Sequence, residues 1–111
     1  MAINETRLLG MLGFAMRAGK LIIGTESVCR AMAKGLPKLV LVSDAASEGT
    51  KKKLVVKCEF YGIPHAALPL EAQRLGALLG KTYAPMAIAV TDSGFSEEIK
   101  KALNPKTAEE I

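Results

Sequence analysis

Apolar and polar positions change period repeatedly along this chain, and each change predicts an element. Residues 4–18 place Leu8, Leu12 and Ala15 at helical spacing with Leu9 and Met16 beside them, after an Asn4-Glu5 start and before Ala18-Gly19. Leu21-Ile22-Ile23 reads as a short strand. A helix over 25–35 follows, with Val28, Cys29, Met32 and Leu36 expected inward and Gly35 as its stop. Residues 38–43 are apolar without alternation, as in a strand covered on both faces. The spacing then predicts a helix over 49–61 facing inward through Leu54, Val55, Cys58 and Tyr61, with Gly62 ending it. A strand over 63–68, a helix over 71–80, a strand over 85–90 and a helix over 95–103 complete the pattern. Asp44 and Asp92 each close an apolar run, where an aspartate serves a turn or a helix start.

Strands alternating with helices of this length predict an α/β fold, a three-layer α/β/α sandwich around about four strands. Residues 1–103 are expected to form a single domain, and 104–111 a polar tail after Asn104-Pro105. With 111 residues, half of them hydrophobic, the chain can bury a core without disulfides or metals. Cys29 and Cys58 show no ligand spacing and are expected to pack as small apolar side chains in a reducing cytoplasm. No apolar run approaches the ~20 residues of a membrane span, so no membrane partner is expected.

Fifteen Lys and Arg against eleven acids give a net charge of +4 and a pI near 9.2. This balance fits RNA binding without requiring it. Catalysis lacks parts: His65 is the only histidine, it lies in an apolar strand, and no carboxylate pair or nucleophile–base grouping is spaced for chemistry. Metal ligands and cofactor motifs are missing in the same way. Gly76 to Thr82 imitates a phosphate loop, but its first glycine is one residue too close and the segment should be helical. Gly13 to Lys20 is one residue too long, and Leu21 stands where a hydroxyl is needed. We therefore expect no enzyme. A small-molecule site at the Asp44 and Asp92 strand ends is a minor rival.

The strongest functional signal is Lys20-Leu21-Ile22-Ile23-Gly24-Thr25, a strand entering a helix through one glycine. Glycine allows close backbone approach, and the first amides of a helix are free donors with partial positive charge. Ser27, Arg30 and Lys34 follow at i, i+3 and i+7 along one stripe. Cations and a hydroxyl beside a glycine-led helix start suit a phosphate backbone and base edges. A solvated face with Glu26 paired to Arg30 explains the same residues. The apolar, proline-stiffened Leu68-Pro69-Leu70 suits a contact surface or a cap on the sheet edge. Lys51, Lys52 and Lys53 open a helix where cations are disfavoured, which suits attraction to a polyanion or simple solubility.

Over residues 6–103 the chain resembles the kink-turn-binding ribosomal-protein superfamily of the L-seven-Ae and L-thirty type, with its nearest likeness in the bacterial YlxQ group. The likeness rests on Gly19-Lys20-Leu21-Ile22-Ile23-Gly24, Pro37-Lys38-Leu39-Val40-Leu41-Val42-Ser43-Asp44-Ala45, Gly62-Ile63-Pro64, and Leu75-Gly76 followed by Gly80-Lys81. It implies a mixed sheet between helices and recognition of a sharply bent, structured RNA, ribosomal in origin, by a cytoplasmic ribonucleoprotein component near ribosome or transcription–translation factors. The family's recognition box falls on Gly24, Thr25, Glu26 and Ser27, its basic backbone contacts on Lys20, Arg30 and Lys34, and its base-packing loop on Leu68, Pro69 and Leu70. Glu26 and Ser27 depart from the family pattern of Asn or a basic residue followed by Glu or Gln. That departure supports an alternative, a protein-interaction module on the same fold that has lost tight kink-turn binding.

Overall fold

A computed structural model describes residues 5–69, 72–81 and 85–103. Its elements are α1 (Glu5–Arg17), β1 (Leu21–Ile23), α2 (Thr25–Ala33), β2 (Leu39–Ser43), α3 (Glu48–Tyr61), β3 (His65–Leu68), α4 (Ala72–Leu78), β4 (Ala87–Val90) and α5 (Ser93–Leu103). The four strands form one mixed sheet in the order β1-β4-β2-β3. Only β2 and β3 run parallel; β4 is antiparallel to both of its neighbours. The sandwich expected from the chain pattern is the architecture observed.

The unbroken apolar run in β2 resolves into two alternating faces, because successive strand side chains point oppositely. Leu39 and Leu41 join Leu8, Leu12, Ile88, Val90 and Ile99 under α1 and α5. Val40 and Val42 join Val28, Met32, Leu54, Cys58 and Ala89 under α2 and α3. Each layer thus has its own core, and every residue of β2 is buried. Across the first layer, Arg7 of α1 donates to the Glu98 carboxylate of α5, and Arg74 of α4 pairs with Glu5. Hydrogen bonds from Arg7 and then Lys101 hold the Glu98 carboxyl below the usual glutamate range.

Local chemistry sets the element boundaries. Ser47 accepts from the Thr50 amide at 3.2 Å, so α3 starts one residue before the predicted Gly49. Gly62 ends α3 at φ 68°, and the Ile63 amide returns to the Cys58 carbonyl at 2.8 Å. That turn carries Ile63 into the core and delays β3 to His65. Asp92 accepts from the Phe95 amide at 2.9 Å and so opens α5, as its position predicts.

Two inward assignments need correction. Leu36 is 47% exposed, because α2 ends at Ala33 and Gly35, at φ 71°, reverses the chain before Leu36 can continue the helical face. Tyr61 occupies the last position of α3 and is also exposed. The predicted tail, 104–111, lies outside the described residues.

Both cysteines are free. Burial first, then the nearby Cys29 and Glu59, push the Cys58 thiol up to about 11. Its contribution to stability is complete below the unfolded thiol's pKa of 9.0, and is lost as pH rises from there through about 11. We expect a disulfide-exchange reagent at pH 8 to label at most one thiol of the native chain, the half-buried Cys29, and both after unfolding. Rapid native labelling of Cys58 would contradict this.

Candidate nucleic-acid interface

Strand directions gather four segments onto one rim of the sheet. The C-terminal ends of β1, β2 and β3 meet the N-terminal end of β4 there, with Ile23 opposite Ile88, Val42 opposite Ala87 and Ser43 opposite Leu68. Backbone hydrogen bonds stitch them together: Gly24 N–H to the Ala87 carbonyl at 2.9 Å, Ser43 N–H to Met86 at 2.9 Å, and Asp44 N–H to Leu68 at 3.2 Å. The starts of α2 and α3 and Pro69, at the end of β3, therefore share one edge. The part played by Met86 and Ala87 escapes a linear reading, since insertion of β4 between β1 and β2 is a tertiary choice.

Gly24 sits at φ 106°, ψ 145°, a conformation open essentially to glycine alone. It spends its own amide on Ala87, and no side chain caps α2. The amides of Thr25, Glu26 and Ser27 thus open the helix at this rim, ahead of the first intrahelical bond, Val28 N–H to the Gly24 carbonyl. A Cβ built on Gly24 meets nothing within 4 Å, which leaves open space over this turn.

We expect Gly24→Ala to cost ~1–3 kcal/mol through backbone strain alone. That lowers the melting temperature by roughly 5–15 °C. Gly10→Ala is the control: it lies inside α1 with equal room, and should stabilise by about 0.5–1 kcal/mol. Equal melting shifts in the two variants would contradict the strain at Gly24.

Along α2, Arg30 of the last turn donates to the Ser27 hydroxyl at 3.3 Å and approaches the Glu26 carboxylate at 3.9 Å. Glu26 is 90% exposed along its side chain and Ser27 is half-buried. At such exposure the ion pair is weak, worth ~0.3–0.5 kcal/mol, and readily exchanged for another anion. Lys51, Lys52 and Lys53 lie on the first turns of α3, which begins at the same rim; Lys51 pairs with Glu48 at 3.7 Å.

The remaining expected site residues are dispersed. Lys20 precedes β1 and its carbonyl accepts from the Thr91 amide, which puts it at the opposite rim. Lys34 follows the last residue of α2, about 15 Å along the helix from Gly24. Of the apolar loop, Leu68 is 1% exposed and belongs to the core, so its side chain is no contact surface. Pro69 is exposed, and Leu70 lies outside the described residues. His65 is exposed on the edge strand β3. Among the described residues, no cluster of histidine, cysteine and acidic side chains could hold a metal.

The Ribosomal protein L7Ae/L30e/S12e/Gadd45 family model matches residues 6–100. The RNA-binding protein YlxQ of Bacillus subtilis is 36% identical over 94 residues, covering 85% of this chain and 92% of the relative. The large ribosomal subunit protein eL30 of Pyrobaculum neutrophilum is 34% identical over 89 residues, covering 80% and 88%. A solved structure of a Bacillus halodurans protein of unknown function superposes with a TM-score of 0.79 at 39% identity, covering 86% of this chain and 94% of that one. With its alternating α/β order, its mixed sheet and its glycine-led second helix, the chain belongs to the L7Ae/L30e/S12e/Gadd45 ribosomal-protein family.

Proposed function

We propose that this protein binds a structured RNA, a sharply bent helix of the kink-turn kind, through the rim that carries Gly24. The observation that carries the reading is the pairing of a positive-φ glycine with uncapped helix amides beside exposed cations. In this reading Gly24 admits the bent backbone, and the Thr25–Ser27 amides meet acceptor atoms. Ser27 and Glu26 touch base edges, and Arg30 leaves Glu26 to hold a phosphate. Lys34 and Lys20 extend the cationic track toward the far rim, so a helix lying along α2 would reach all three. Pro69 packs on an exposed base. Relatives named as RNA-binding and ribosomal support this assignment. We further propose that the protein works without catalysis, in the cytoplasm, on ribosomal RNA or its associated factors.

Glu26 is the observation that favours a second reading. A carboxylate at a phosphate-lined turn repels the ligand, and serine reaches less far than glutamate or glutamine. Losing one bidentate base contact weakens discrimination by ~1–3 kcal/mol. Titration separates the two readings, using a kink-turn RNA and a control whose sheared G·A pairs are replaced by Watson–Crick pairs. We expect preference for the bent RNA, and marked weakening in an Arg30→Ala/Lys34→Ala variant. Equal binding of both RNAs by wild type and variant would favour the protein-interaction module.

A further inference from the structure

The rim opposite Gly24 carries a second surface that RNA binding leaves unused. Here α2 and α3 end side by side, and the chain turns at Gly35 and Gly62 to enter β2 and β3. Between the turns lies a cleft of about 410 Å³, floored by Met32 and Ile63 and walled by Pro37, Tyr61 and Pro64. Five large hydrophobic side chains are exposed among the described residues, and three of them gather here. Tyr61 lines the cleft, Phe60 meets it edge-to-face with ring centroids 4.9 Å apart, and Leu36 stands between two lining residues. Phe60 is 80% exposed. Apolar groups concentrated at the mouth of a cleft are costly unless something covers them.

Charge specifies what covers them. Lys34 and Lys38 flank the cleft, both exposed and with no ion pair among the described residues. Four of the helix-end carbonyls here already accept from backbone amides. Ala31 accepts from the Lys34 and Leu36 amides, Met32 from Gly35, Glu59 from Gly62, and Cys58 from Ile63. Lys38 is the one charged side chain in the lining of the cleft, and Lys34 borders it. Glu59, two residues before Tyr61, is exposed on α3 and is the acid nearest in sequence to the α3 wall. Pro37 and Pro64 offer aliphatic walls, without the parallel aromatic platform that unpaired bases use.

We propose that this cleft docks an acidic segment of another protein, which inserts one apolar anchor beside Tyr61, at the mouth that Leu36 borders, and sets its carboxylates against Lys38. The residues that line the cleft are separate from those of the RNA reading, of which only Lys34 borders it. A protein bound at both would link an RNA to an acidic protein partner.

The test selects short random displayed peptides on the full chain, then measures the enriched peptides in solution against three forms. These are wild type, Lys38→Glu, and the Leu36→Ser/Tyr61→Ser double variant, all changed at exposed positions outside both cores. The expected result is enrichment of Leu or Phe flanked by Asp or Glu. Affinity should fall roughly fivefold in Lys38→Glu, and tenfold or more, to order of magnitude, in the double variant. Retention of folded RNA should be unchanged in both variants. Several results would overturn the proposal: no enriched peptide, peptides lacking acids or an apolar anchor, or affinities indifferent to the variants. Self-association abolished by the double variant would assign the cleft to a second copy of the chain. Oligouridylate shifts at the Lys38 and Ile63 amides would assign it to RNA.

Discussion

Lowering the salt from about 200 to 50 mM is expected to tighten binding of the bent RNA on the order of a hundredfold, for about four phosphate contacts. The estimate follows from counterion release. Each cation set against a phosphate frees a condensed ion, and the logarithm of affinity falls with the logarithm of salt in proportion to the number of contacts. Arg30, Lys34 and Lys20 supply three such contacts in the proposed mode, and the lysines opening α3 can supply another. Arg30→Ala should therefore reduce the slope by about one, beyond weakening affinity at any single salt concentration. Glu26→Gln should act oppositely, since removing an exposed carboxylate beside the phosphate track relieves repulsion without changing side-chain length. Fluorescence titration across a salt series reads slope and affinity together. A flat salt dependence would remove phosphate contact as the source of binding, and with it the role of the Gly24 rim.

The largest loss of stability is expected from Leu41→Ala. Leu41 is completely buried at the middle of β2, a strand hydrogen-bonded on both sides by β4 and β3. Its side chain packs in the core beneath α1 and α5 together with Leu8, Leu12, Ile88 and Ile99. Truncation removes the transfer free energy of the lost carbons and leaves a cavity that a hydrogen-bonded central strand cannot close. The expected cost is about 3 kcal/mol. In a domain of this size that lowers the melting temperature by about 10 °C or more. The urea midpoint should fall at an unchanged slope, because the surface exposed on unfolding is nearly the same. A loss no greater than that of an exposed truncation such as Val56→Ala would show that β2 is not the structural centre of the sheet.

Much of the architecture was legible along the chain. The blank apolar run Leu39–Ser43 announced a strand covered on both faces, and the structure buries all five residues. Helix stops at Gly35 and Gly62 were equally readable, because positive φ is cheap only for glycine, and both residues adopt it. Gly24 belongs with them. A lone glycine between an apolar strand and an amphipathic helix signals a special backbone, and its φ of 106° is that backbone. Errors fell where a helix stops sooner than its period suggests. Leu36 continues the spacing of Val28 and Met32 on paper, yet the chain has already reversed at Gly35. Leu68 misled in the other direction. Its place before Pro69 suggested an exposed loop, while the strand phase turns it into the core.

The sequence by itself determined the kinds and order of the elements, the two-faced central strand and the glycine conformations, because these depend on neighbours a few residues apart. Only the tertiary structure decided which residues share a rim. The insertion of β4 between β1 and β2 puts Gly24, Ala87 and the start of α3 at one edge, and sends Lys20, Lys34 and the Leu36–Tyr61 cleft to the other. Strand order joins segments more than sixty residues apart through hydrogen bonds and shared burial, as in the pairing of Ile23 with Ile88. Local periodicity carries no record of that pairing.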